Sequence, residues 1–289
     1  MGCSKGFGPL KLCRVVIVSL QHRYWGNTPG KPDVLLLHGL LGSSRNWQGV
    51  GNKLSRYCNV AALDQRNHGT SPHHSSMTYP SLVADVVAWL DAMEIGQIHL
   101  VGHSMGGKVC MYLACRYPER VSSLTVVDIA PRAYPPRWEK EFAAMQRMPV
   151  QHFTRRSEAE DWLKEEVRDW AFRKFLVSNL EREEAGGFRW IVNLDILQAA
   201  LPNLFHQVPD DGQRYAGPVL YMRGSESRFV TEGDYAMIRA FFPAVQLKTI
   251  PEAGHNVHFD QADLFVQSLQ NHIRAVDQRP ESSVQSPKS

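Results

Sequence analysis

Gly102-His103-Ser104-Met105-Gly106 places one serine between two glycines at fixed spacing. A serine hydroxyl is a poor nucleophile until a base takes its proton. The surrounding pattern therefore matters more than the serine. The apolar run Ile98–Val101 precedes it and a helical pattern, Lys108–Arg116, follows it. A sharp strand-to-helix turn would hold Ser104 exposed, and the flanking glycines let neighbouring backbone approach closely. At a helix N-terminus, backbone N–H groups favour negative charge developing nearby. This arrangement suits acyl transfer through Ser104.

The chemistry requires a base, and the chain has twelve histidines. Position selects His255, in the loop Pro251–Phe259 between the last apolar run and the last helical pattern. His103 is expected to point away from the nucleophile's cavity. His38 reads as a structural hydrogen-bonding residue, His68 as part of a turn, and His73 and His74 as solvated loop residues. His258 is expected to start the last helix. A carboxylate must then hold the imidazole in its productive tautomer. Two positions offer one: Asp128, at the end of the run Val121–Val127, and Glu226, in the loop after Val219–Met222. The reading favours Asp128, and the order Ser104, Asp128, His255 agrees with a Ser-Asp-His arrangement along the chain. Two N–H donors are needed for the oxyanion. The backbone of Met105 and of Leu40, within His38-Gly39-Leu40-Leu41-Gly42, should supply them.

The elements that must carry these residues alternate. Arg14–Leu20, Asp33–Leu37, Asn59–Leu63, Ile98–Val101, Val121–Val127, Val219–Met222 and Val245–Thr249 read as strands. Tyr79–Met93, Lys108–Arg116, Asp234–Phe242 and Asp263–Val276 read as helices. Such alternation predicts an α/β fold built on a mainly parallel, doubly wound sheet, with ligands bound at the carboxyl ends of the strands. Ser104, Asp128 and His255 all fall at or just past such ends. The segment 132–215 breaks the alternation. It shows no convincing strand, is rich in aromatics, and carries Leu163, Val167 and Trp170 at helical spacing. It is expected to be a helical cap over a core of residues 14–131 and 216–276. Residues 1–13 form an N-terminal extension and 277–289 a disordered tail by this reading.

Composition excludes several classes. The chain has 289 residues, 43% of them hydrophobic, and a formal net charge of +3 from 32 basic and 29 acidic side chains. That balance gives no reason to expect a nucleic-acid partner. No apolar run approaches the about 20 residues that span a bilayer, so no stable membrane insertion is expected. The five cysteines, Cys3, Cys13, Cys58, Cys110 and Cys115, form no CxxC pair and suggest buried thiols in a reducing compartment. With no export signal, the expected location is cytoplasmic. Met1–Gly6 carries Gly where an acylation signal has Ser or Thr, which argues against lipidation.

Together these residues resemble the α/β-hydrolase fold superfamily from about Val15 to Val276. A narrower likeness is carried by His38–Ser43, Asp64–Ser71, Gly102–Lys108, Val127–Pro131, Arg189–Leu194 and Ser227–Val230. These are similar to the YbfF-type esterases and their eukaryotic abhydrolase-domain relatives. The resemblance implies an acid after the strand before the cap, which maps onto Asp128, and it accounts for the absence of an aspartate near Ser227. It implies a serine hydrolase acting on small-molecule carboxylic esters or thioesters of short to medium acyl chain, with no cofactor and no metal, as a monomer or homodimer. Carbon–carbon bond hydrolysis, lactone hydrolysis and non-catalytic ligand binding are the alternatives. Dehalogenases and epoxide hydrolases use an aspartate where Ser104 stands.

Overall fold

The central apolar runs become strands with a buried layer on each face. The computed structural model describes residues 15–135 and 137–278. The chain runs through β1 (His22–Trp25), β2 (Asp33–Leu37), α1 (Gln48–Leu54), β3 (Asn59–Leu63), α2 (Tyr79–Ala92), β4 (Ile98–His103), α3 (Met105–Arg116) and β5 (Val121–Val127). It continues through α4 (Glu139–Arg147), α5 (Arg156–Trp162), α6 (Trp170–Val177), β6 (Leu180–Arg182), β7 (Phe188–Trp190) and α7 (Leu194–Leu204). It ends with β8 (Val219–Gly224), α8 (Tyr235–Phe241), β9 (Val245–Ile250), α9 (Val257–Asp260) and α10 (Ala262–Asp277).

Seven strands form one sheet in the order β1-β3-β2-β4-β5-β8-β9, parallel except for β1, which runs antiparallel to β3. Side chains alternate across the sheet. Leu35 and Leu37 of β2, Leu100 of β4, and Leu124 and Val126 of β5 face one apolar layer, with α2, α3 and α8. Val34, Leu36, Val101 and Val127 face the other, with Phe265, Leu269 and Ile273 of α10. Burying each such side chain contributes about 1.5–3 kcal/mol, so a one-residue slip of register would be costly. The result is the expected α/β architecture, a mainly parallel sheet wound on both faces.

Three expectations need correction. Residues 15–20 are not a strand. Val15, Val16 and Ile17 are 44%, 53% and 57% exposed, and the segment is held by side chains: Arg66 Nη2 donates to Val16 O at 2.8 Å, and Val18 N to Asp85 Oδ1 at 2.8 Å. The sheet edge is taken by the next, more polar run, β1. The segment between β5 and β8 is not free of strands, because β6 and β7 pair as a short antiparallel hairpin. Leu163, Val167 and Trp170 do not share one helix: α5 ends at Trp162 and α6 begins at Trp170, whose side chain is exposed. Leu163 and Val167 are buried through the turn between them. Among the described residues, no helix is long and apolar enough to cross a membrane. Cys58, Cys110 and Cys115 are free thiols. Cys3, Cys13, the Met1–Gly6 motif and nearly all of the expected C-terminal tail lie outside the described residues.

Candidate active site

The turn after β4 is strained where the chemistry needs it. Ser104 has φ 52° and ψ −120°, the left-handed side of the map, and caps the N-terminus of α3. A non-glycine residue there costs about 1–3 kcal/mol and persists only where its surroundings enforce it. The surroundings do so: a Cβ on Gly102 would overlap Gly106 O, and one on Gly106 would overlap Leu37 O. Backbone packs against backbone on both sides of the serine, and Ser104 N–H donates to Val127 O at 3.1 Å. Ser104 therefore stands at the carboxyl end of a central strand with the N–H groups of α3 behind it.

Asp128 follows β5, the neighbouring strand, and also has positive φ, 50°. Its backbone N–H donates to Met222 O at 2.8 Å, joining it to β8. Its carboxylate is fully buried and takes three donors. Gly224 N donates to Oδ1 at 3.1 Å, and His255 Nδ1 donates to Oδ2 at 2.8 Å. The Ser227 hydroxyl also donates to Oδ2. Burying a charge is costly unless it is paired and hydrogen-bonded, and this carboxylate is both. Glu226, the other carboxylate considered, is exposed, and its backbone N–H donates to Ala253 O at 2.9 Å. No contact joins its side chain to His255 among the described residues.

His255 lies in the loop between β9 and α9. With Nδ1–H committed to Asp128, Nε2 is the free nitrogen, and it has no hydrogen-bond partner among the described residues. Phe229 stacks on the imidazole, with centroids 3.7 Å apart and planes 16° from parallel. Phe229 also lines the cavity that contains Ser104, together with Leu40, Met105, Tyr134, Trp138 and Phe205. It is a tight space, with about 20 Å³ open to the centre of a water-sized molecule. Its walls are chiefly apolar and aromatic, as small-molecule sites are.

The loop after β2 that carries Leu40 is built on buried histidines. Leu41 has φ 60° and donates its N–H to His68 Nε2 at 3.1 Å. His68 Nδ1 donates to Arg66 O at 2.9 Å, and burial pushes the His68 pKa down to about 3, so it stays a neutral acceptor. His38 accepts from Gln65 N at 3.0 Å through Nε2, while Gln65 Nε2 donates back to His38 O at 2.7 Å. Asp64 receives Ser44 N at 2.7 Å and Thr70 N at 2.9 Å. Burial alone would raise its pKa, but these donors outweigh it and hold the carboxyl below its usual range. The stretch Asp64–Ser71 is thus a scaffold for the loop of Leu40. Below it, Arg66 and Asp85 form a buried two-point ion pair at 2.6 and 2.7 Å. His73, expected to be solvated, reaches Ile191 O at 3.0 Å.

A serine on a strained strand-to-helix turn, a buried aspartate at the neighbouring strand end holding an imidazole, and an apolar cavity lined by the serine fit an α/β hydrolase of the serine type. The family model described as alpha/beta hydrolase fold matches residues 32–262, and the chain belongs to that family. It is a hydrolase of the esterase type, as its relatives indicate. It is 38% identical over 270 residues to the sn-1-specific diacylglycerol lipase ABHD11 of Xenopus tropicalis, covering 91% of this chain and 83% of that one. It is 29% identical to the esterase YbfF of Escherichia coli, covering 86% and 95%. The solved structure of a marine microorganism esterase superposes with a TM-score of 0.85 at 32% identity, covering 88% of this chain and 99% of that one.

Proposed function

We propose that the protein hydrolyses carboxylic esters or thioesters of short to medium acyl chain through a Ser104–His255–Asp128 triad. The observation that carries the reading is the hydrogen bond from His255 to the buried Asp128, which leaves Nε2 unpartnered among the described residues, on a ring stacked against Phe229, itself a wall of the cavity that Ser104 lines. Ser104 Oγ attacks the acyl carbonyl carbon while its proton passes to His255 Nε2. The carbonyl π pair becomes an oxyanion, received by the N–H groups of Leu40 and Met105. Collapse breaks the bond to the leaving oxygen or sulfur, which takes the proton from the imidazolium. Acyl-Ser104 remains. Water then repeats the sequence, giving up a proton to His255, releasing the acid and restoring the serine hydroxyl. Asp128 fixes the tautomer and stabilises the imidazolium.

Residues 132–215 act as the cap in this reading. Asn179 Nδ2 donates to Leu41 O at 2.9 Å, and Asn193 N to Asn67 O at 3.1 Å, tying that segment to the loops around Ser104. Trp138, Leu204 and Phe205 supply its side of the cavity. The relatives named as esterases and a diacylglycerol lipase support ester substrates. The triad is tested by turnover of aryl esters. Asp128→Asn is expected to lower kcat by about 10³- to 10⁴-fold, and Glu226→Gln to leave it nearly unchanged. The reverse pattern would move the acid to the loop after β8.

A further inference from the structure

His103 immediately precedes Ser104 and is buried. By sequence alone its side chain is expected to point away from the nucleophile's cavity. Its surroundings are more specific. His103 Nε2 lies 2.9 Å from the main-chain carbonyl oxygen of His255. A carbonyl oxygen can only accept, so Nε2 carries the hydrogen. The rings of His103 and His255 are 4.6 Å apart between centroids, and His258 lies 4.7 Å away on Trp47. On the other edge, a Cβ on Gly39 would come 3.1 Å from His103 Nδ1 and 3.2 Å from Ser104 Cβ. One imidazole is therefore wedged between the loop of Leu40 and the loop of His255.

We propose that His103 is a positioning residue for the hydrolytic site: its Nε2–H, donated to His255 O, sets the place of the base relative to Ser104. The inference rests on the reading of His255 as the base. His103 and Ser104 are consecutive, so a bond from His103 to the base loop fixes nucleophile and base against each other with one hydrogen bond between them. The Asp128 pair orients the ring of His255, whereas this bond holds its backbone. Elsewhere the loop is held by Gly254 N–H to Asp260 Oδ2 at 2.8 Å and by Glu226 N–H to Ala253 O at 2.9 Å, and His103 supplies the hold at His255 itself. Burial and the two neighbouring imidazoles push the His103 pKa well down, so the donor is neutral and adds no charge beside the imidazolium formed at His255. Misplacing a catalytic group by about 1 Å costs about 100-fold in rate.

The test is a comparison of three variants. Gln places an N–H donor where Nε2 stands, Asn offers one only near Nδ1, and Phe offers none. His103→Phe and His103→Asn are expected to lose about 10- to 100-fold in kcat on aryl esters with KM little changed. His103→Gln should restore most of the rate. The Asn and Gln pair carries the comparison if the Phe variant does not fold. Wild-type kcat in folded His103→Phe, or equal losses in the Asn and Gln variants, would overturn the positioning role while leaving the triad untouched. Wild-type protein whose Ser104 takes no fluorophosphonate label would instead overturn the triad reading beneath it.

Discussion

Ser227 occupies the place in the loop after β8 where the resemblance allows no aspartate, and its hydroxyl points at the aspartate that stands one strand away. It donates to Asp128 Oδ2 and accepts Phe229 N–H at 3.2 Å. It thus orders both the carboxylate and the ring stacked on His255. A hydrogen bond to a charged group contributes about 1.5–3 kcal/mol. Ser227→Ala is expected to lower kcat/KM by about 10-fold, with a folded protein by circular dichroism; an unchanged kcat/KM would show that the hydroxyl has no part in the site. Much at this scale was legible in the sequence. Ser104 and Asp128 stand directly after the strands that the local pattern predicts, and His255 stands in the predicted loop after β9. His103 is legible only as a side chain that points away from the nucleophile's cavity. Strand alternation tells which face a side chain takes, but not which distant loop will fold onto that face. Ser227 was noticed only as a gap, because a hydroxyl carries no signal without its partner.

At the scale of elements, α3 does more than present the nucleophile. Lys108, one turn after Ser104, is buried, and its Nζ donates to Arg132 O at 3.0 Å and to His206 O. These carbonyls stand just after β5 and after α7, so one side chain ties both ends of the intervening segment to the nucleophile's helix. Burial, reinforced by Arg132, pushes the Lys108 pKa down to about 7 from an ordinary 10.5. Between those values the unfolded chain binds a proton that the folded chain does not, so stability rises with pH. The cost of the buried charge is full below about pH 7 and is relieved as the pH climbs towards 10.5. Denaturation of the wild type and Lys108→Met should show a stability difference that is flat below pH 7. Above it, the difference should shift in favour of the wild type by about 1 kcal/mol per pH unit. A flat difference across the whole range would contradict the account. The errors in element assignment share a cause. Val15–Val18 has strand composition, but an apolar run records burial tendency and not pairing, and Arg66 and Asp85 hold it instead. The hairpin β6–β7 has three residues in each strand, too few to establish a period of two.

At the scale of the whole molecule, a sheet with two buried faces confines polar chemistry to one edge. Every group in the proposed mechanism sits at the carboxyl ends of β2, β4 and β5 or in the loop after β9, and the segment between β5 and β8 lends Tyr134, Trp138, Leu204 and Phe205 to the cavity that Ser104 lines. The sheet was legible because buried parallel strands are continuous apolar runs bounded by turn residues. The segment between β5 and β8 is legible as an interruption and, from its aromatics, as an expected helical cap, but not in its detail. Its helices are short, and its packing rests on contacts such as Tyr79 Oη to Leu204 O at 2.7 Å, which link residues 125 positions apart. The central claim is that this edge holds one activated serine. Intact-mass analysis after treatment with a fluorophosphonate measures it most directly. A single adduct is expected on the folded protein, on the peptide carrying Ser104, and none in Ser104→Ala. A folded protein that takes no adduct, or an adduct that persists in Ser104→Ala, would contradict it.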